Sequence, residues 1–167
     1  ARVESMSLIH QTLYRKENLT GVNLQDYLNR LCQSVMNTYQ LNKDRIRFES
    51  KIEPLILDVD SVIPLGLIIN ELLTNSIKHA FPHQKEGIVY IDIQESNEGL
   101  QLQVADNGIG IPVKAHKNSR GTFGLEMINT FKRKLKADVT IMGEEGTRVM
   151  MLIRNYQKAG MPPEMVA

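Results

Sequence analysis

Cysteine is nearly absent: Cys32 is the single one in 167 residues. One thiol cannot close an internal disulfide and cannot by itself hold zinc. We read it as a small buried hydrophobe that fits a reducing, cytoplasmic setting. An excess of either charge is also missing. Lys and Arg number 20 against 19 Asp and Glu, a net charge of +1. No long-range field therefore selects a nucleic acid or a membrane surface as partner. Long apolar runs are missing too. The strongest, "VIPLGLII", falls well short of the roughly 20 residues of a membrane span, and Pro64 and Glu71 bracket it. There is no signal peptide, internal repeat or low-complexity tract. The chain opens in mid-pattern at "ARVESM", and we read it as a piece of a longer protein.

Hydrophobic residues make up 42% and charged residues 23%, the composition of a soluble globular domain. The length suits one domain with an attached element. Val3, Met6, His10 and Leu13 follow 3-4-3 spacing, which predicts a helical arm with a narrow seam for another helix. After the turn residues of "ENLTGVN", Asn23 is a helix cap. Leu24, Tyr27, Leu28, Leu31 and Val35 form the apolar face of the helix behind it. "RIRFESKI" alternates as a strand does, and "PLILDV" is a second, short strand. A helix begins at Asp60 or Ser61, with Pro64 early in it. "GIVYIDIQES" and "LQLQVAD" form a hairpin around Asn97-Glu98-Gly99. A loop from Asn107 to Gly121 leads to the helix "TFGLEMINTFKRKLK". A last hairpin, "DVTIMGEEGTRVMMLI", turns at Glu144-Glu145-Gly146. From Asn155 onward the tail is expected to be loose. Helices beside hairpins predict an α/β (α+β) two-layer sandwich, a mixed β-sheet with helices packed on one face.

The stretch "NELLTNSIKHAF" continues the apolar helix, yet it carries polar groups in one line. At about 100° per residue, Glu71, Asn75 and Lys78 fall within roughly 60° of one another, with Thr74 and His79 flanking. Ser76 falls on the apolar remainder. A solvated face would scatter Lys, Glu and Gln. Here a carboxylate, an amide, an ammonium and an imidazole line up, the groups that position a water or hydroxyl, complete a magnesium shell and meet a phosphate. "DNGIGIP" follows an alternating strand, with two glycines where a Cβ would block close approach. In "RGTFGLEMI", Gly121 and Gly124 lead into a helix whose free N–H groups suit a phosphate. "GTRV" is a turn entering a strand.

In this order, "NELLTNSIKHAF", "DNGIGIP", "GTFGL" and "GTRV" resemble the N box, the two glycine boxes and the closing Gly-Thr of the histidine-kinase ATP-binding domain. That domain's superfamily also holds gyrase, Hsp90 and MutL. The resemblance spans about residues 22 to 155. "MSLIHQTLY" is similar to the end of the second dimerisation helix in one subgroup of sensor histidine kinases. The resemblance implies a Bergerat-type ATP-binding fold. It divides the chain into a dimerisation remnant (1–17), the ATP-binding catalytic domain (18–156) and a tail (157–167). It implies that Glu71 polarises the attacking group, that Asn75 ligates Mg²⁺, and that Lys78 and His79 face the phosphates. Asp106 would accept a hydrogen bond from the adenine amino group, with the Thr147 hydroxyl supporting it and a bound water. Gly108 and Gly110 would let the chain pass close to the nucleotide, and Gly121, Thr122 and Gly124 would close over the phosphates. Leu125 and Ile111 would pack near the base. Residues 112–120 would form a lid in which Lys114, His116, Lys117 and Arg120 touch phosphate.

The implied activity is that of a sensor histidine kinase: transfer of the γ-phosphate of Mg-ATP to a histidine, then to an aspartate of a response regulator. The implied assembly is a homodimer through the N-terminal helices, with no nucleic acid and no direct membrane contact by this chain. His10 matches the second helix and is a structural seam residue. His83 and His116 match no acceptor motif, so the phosphoacceptor lies outside this chain. Two other readings remain: an anti-sigma-type protein-serine kinase, which shares the nucleotide boxes, and a non-catalytic nucleotide-binding scaffold of the same fold.

Overall fold

The structure, a computed structural model, describes residues 7, 11, 21–42, 44–82, 86–111 and 123–159, and residues 123–127 by their backbone alone. Apart from Ser7 and Gln11, both helical and exposed, the expected arm and its His10 lie outside the described residues. In chain order the elements are β1 (Val22–Asn23), α1 (Leu24–Thr38), β2 (Ile46–Ile52), β3 (Ile56–Leu57) and α2 (Val59–Asn75). A π-helical turn (Ser76–Ala80) follows, then β4 (Gly87–Ser96), β5 (Gly99–Asp106), α3 (Phe123–Lys134), β6 (Ala137–Met142) and β7 (Thr147–Ile153). Five strands form one mixed sheet in the order β2-β4-β5-β7-β6. The β2–β4 pair is parallel and the others are antiparallel. This is the expected α/β sandwich.

The hydrophobic pattern builds the two layers. Val89, Ile91 and Ile93 of β4, Leu102 and Val104 of β5, and Val149, Met151 and Ile153 of β7 are buried and recur at every second position. Period 2 sends them all to one face, where the helices cover them. Along α1 the expected residues Leu24, Tyr27, Leu28, Leu31 and Val35 are the buried ones. The Asn23 side chain caps the helix by accepting the Asp26 N–H at 3.1 Å. Cys32 is partly buried against the core, and burial pushes its thiol up to about 11. It therefore stays protonated and unreactive at neutral pH.

Helix α2 is apolar almost all round, which marks a buried central helix. Val62, Leu65, Ile68, Ile69 and Leu73 have no exposed surface. Its start differs from expectation. Asp58 is the N-cap, accepting the Ser61 N–H at 2.9 Å, so the helix begins at Val59. Pro64 therefore lies deeper, in the second turn, and leaves the carbonyl of exposed Asp60 without its helical donor. At Gly66 the Tyr27 side chain of α1 lies against the α2 backbone, since a Cβ there would strike the Tyr27 hydroxyl.

The expectation of loose chain from Asn155 onward fails for residues 155–159, which are bonded into the body. Lys158 bridges Leu57 of β3, and the Ala159 N–H donates to the Ile56 carbonyl at 2.9 Å. The Gln157 N–H donates to Ser61 Oγ at 2.9 Å, and its carbonyl accepts the Asp58 N–H at 3.0 Å. The anchor is Glu95 at the end of β4. Its carboxylate accepts the Tyr156 hydroxyl at 2.7 Å and pairs with the Lys158 ammonium at 2.8 Å. No local pattern announces this, because the partner lies some sixty residues earlier in the chain.

The Lys158 and Tyr156 hydrogen bonds hold the Glu95 carboxyl below the usual glutamate range. A depressed folded-state value means that the stabilisation is present above the unfolded value near pH 4.5 and is lost as pH falls through the folded one. Glu95→Gln is expected to cost about 1–2 kcal/mol at pH 7. Thermal melts should show the gap between the two proteins closing below about pH 4, and a gap independent of pH would remove Glu95 as the anchor.

Candidate functional site

Register decides where Asp106 points. Leu102 and Val104 face the helices, and Asp106 is the next inward position, the last residue of β5. It pairs with Val89 on one side and Thr147 on the other. A carboxylate is thus carried to the edge of the core, 8% exposed. Oδ1 accepts two backbone N–H groups, from Gly108 at 3.1 Å and Thr147 at 3.0 Å. Oδ2 accepts the Ser76 hydroxyl at 2.7 Å. An ionised carboxylate has about four acceptor positions, and bonds from the described residues fill three of them.

Ser76 is the residue that sequence reasoning missed. On an apolar helix face a small hydroxyl looks like filler, and its partner lies thirty positions away. The backbone also departs from expectation, because the α-helix stops at Asn75 and Ser76–Ala80 form a π-helical turn. Such single wide turns recur at functional sites. Phe81 ends it, with φ −124° and ψ 48°, since a residue before proline is forced out of the helical region and Pro82 follows.

The loop after β5 is stapled on three sides. Asn107 exchanges two bonds with Ile88 of β4, its Oδ1 accepting at 2.7 Å and its N–H donating at 3.2 Å. The Ile109 N–H donates to the Ala80 carbonyl at 2.9 Å, and the Ile111 N–H to the Gly143 carbonyl at 3.2 Å. Gly108 lies flat on Ala80, where a Cβ would collide with backbone and side chain together. Gly110 combines φ +76° with the Gly143 carbonyl where its Cβ would stand. Here the glycines of "DNGIGIP" have a physical reason. Ile109 is 58% exposed between them.

The polar stripe on α2 is split by burial. Glu71 is 2% exposed and engaged within the fold. Asn75, one turn later on the same face, is exposed, as are Lys78 and His79 on the π turn. The Lys78 Nζ stands 5.7 Å from the centre of the Tyr39 ring. The Ser76–Asp106 bond places this end of α2 beside the Asp106, Gly108 and Thr147 cluster. The bond from Thr147 to Asp106 is made by its backbone N–H, where the resemblance implies the hydroxyl. Gly124 and Leu125 fall in the first turn of α3, where only the backbone is described. Gly121, Thr122 and the expected lid, with Lys114, His116, Lys117 and Arg120, lie outside the described residues, as does His83. Among the described residues no three His, Cys, Asp or Glu side chains gather as a metal site.

This two-layer architecture is that of histidine kinase catalytic domains. Superposed on the histidine kinase domain of the Erythrobacter litoralis EL346 blue-light-activated histidine kinase, the chain gives a TM-score of 0.78 at 24% identity, over 91% of this chain and 72% of that one. The family model described as "Histidine kinase-, DNA gyrase B-, and HSP90-like ATPase" matches residues 60–157, and the chain belongs to that family. A second model, "Histidine kinase", matches residues 1–39. The sensor histidine kinase PdtaS of Mycobacterium tuberculosis is 32% identical over 130 residues, 77% of this chain and 26% of PdtaS. The blue-light-activated histidine kinase 2 of Erythrobacter litoralis is 26% identical over 154 residues, 89% of this chain and 44% of that protein. The chain thus spans about a quarter to under a half of the length of these relatives.

Two substitutions separate the bonds from the packing. Ser76→Ala leaves Asp106 its two backbone donors and is expected to cost about 1–2 kcal/mol in urea unfolding. Gly108→Ala drives a Cβ into the Ala80 backbone and is expected to cost more than Ser76→Ala. The reverse order would mean that the loop moves aside freely.

Proposed function

We propose that this chain is the catalytic part of a two-component sensor histidine kinase. It binds Mg-ATP and transfers the γ-phosphoryl group to a histidine on a dimerisation helix outside this chain, for passage to an aspartate of a response-regulator receiver domain. The observation that carries the reading is the Asp106 carboxylate, held at the edge of the core with three donors from the described residues and a fourth acceptor direction that they leave unused. An acceptor-only group selects a ligand that offers an N–H there, as the adenine amino group does and guanine at the same ring position does not. A hydrogen bond to a charged acceptor is worth about 1.5–3 kcal/mol. Gly108, Gly110 and Ile111 form the floor beside it and Thr147 completes the base end; by the resemblance Leu125 would pack near the base. Lys78 and His79 meet the phosphates, and by the resemblance Gly121, Thr122 and Gly124 would close over them.

Magnesium fits this donor set in one way. The exposed Asn75 amide supplies a hard oxygen, and with no acidic cluster among the described residues the remaining ligands would be phosphate oxygens and water, as is usual for this ion. When bound, the metal neutralises phosphate charge. Glu71, one turn before Asn75, is the carboxylate assigned to polarise the attacking imidazole. Transfer of this kind requires chiefly positioning and charge stabilisation, which a rigid helix end and fixed loops supply. The match of residues 1–39 to a histidine kinase model supports a dimer formed through the N-terminal helices.

Asp106→Asn puts an N–H where only acceptors are tolerated. It is expected to weaken ATP binding by about tenfold or more, and unchanged affinity by calorimetry would overturn the assignment. Glu71→Gln is expected to keep ATP binding within a few-fold while cutting phosphotransfer to a separately supplied acceptor helix by about 10²-fold. Transfer at the normal rate would remove Glu71 from the chemistry.

A further inference from the structure

We propose that Tyr39 is a positioning residue for the phosphate end of the site, its ring face holding the Lys78 ammonium in place. The proposal rests on the reading of Lys78 as a phosphate-facing group. Tyr39 is the first residue after α1. Its N–H donates to the Val35 carbonyl at 3.1 Å, and Gln40, at φ +48°, turns the chain away directly behind it. The ring packs partly buried against the core. Its hydroxyl is buried and has no hydrogen-bond partner among the described residues. The ring is therefore held by packing, and the hydroxyl does no visible bonding. The ring face is left as the working surface, and the Lys78 Nζ lies 5.7 Å from its centre, inside the range of a cation–π contact.

The choice of an aromatic partner has a consequence. Among the described residues no carboxylate pairs with Lys78. A carboxylate would hold the ammonium equally well, but it would cancel the charge and repel the incoming phosphates. A neutral ring restrains the flexible four-carbon stem and leaves the full positive charge available.

The test is a double-mutant cycle read by calorimetry with Mg²⁺ and a non-hydrolysable ATP analogue, with adenosine as the ligand that lacks phosphates. Tyr39→Leu is expected to weaken the analogue about threefold and to leave adenosine unchanged. Tyr39→Phe keeps the ring and is expected to bind like the parent. In a Lys78→Met background, Tyr39→Leu is expected to have no further effect. Circular dichroism of each variant confirms folding at the titration temperature. Tyr39 loses the role if its effect persists without Lys78, if adenosine weakens equally, or if the phenylalanine variant loses as much as the leucine one. Failure of the parent protein to bind either ligand is a different result: it removes the nucleotide-site reading itself, and this proposal with it.

Discussion

The Asp106 carboxylate is the point at which three separate pieces of chain are tied. One oxygen takes N–H groups from the loop after β5 and from the start of β7, and the other takes the hydroxyl at the end of α2. A buried carboxylate is costly unless it is well satisfied. Here the partners arrive from a sheet, a loop and a helix, so satisfying the charge also fixes those elements against one another. The burial of the carboxylate and the order of the site have the same cause.

That knot separates the two ends of the proposed site. At the base end, Asp106, Gly108 and Thr147 are held by bonds that exist before any ligand arrives, so little reorganisation is needed on binding. At the phosphate end, Asn75, Lys78 and His79 stand exposed at a helix end. A base can be chosen by a fixed acceptor. A charged triphosphate tail with its metal needs solvated groups that exchange water for phosphate.

Most of the fold was legible because its causes are local. The face of α1, the cap at Asn23 and both hairpin turns follow from periodicity and turn chemistry within a few residues. The inward direction of Asp106 follows from counting by twos from Leu102. Other features depend on contacts between distant segments. Ser76 has meaning only beside Asp106, the π turn leaves no mark except the nearby Pro82, and residues 155–159 are anchored by Glu95. Nothing local to Tyr39 marks its closeness to Lys78, which lies some forty residues later. The polar stripe was seen, but its division into a buried Glu71 and an exposed Asn75 needed the packing around α2.

That packing also answers why an apolar helix carries such groups at all. A helix with one apolar stripe is oriented by it, because only one rotation buries the stripe. Helix α2 is apolar nearly all round and receives little such instruction from its core-facing residues. Its rotation is fixed instead by polar bonds at its two ends, separated by about 25 Å of helix. At the start, Asp58 and Ser61 bond within the first turn and to Gln157 of the returning chain. At the finish, Ser76 bonds to Asp106. Turning the helix about its axis would break the bonds to Gln157 and to Asp106 while leaving much of the apolar burial intact. The polar end bonds therefore decide which side chains of "NELLTNSIKHAF" face the loop after β5 and which face the core. The buried hydroxyl at Ser76 and the tether from Gln157 are parts of one device that aims Glu71, Asn75 and Lys78.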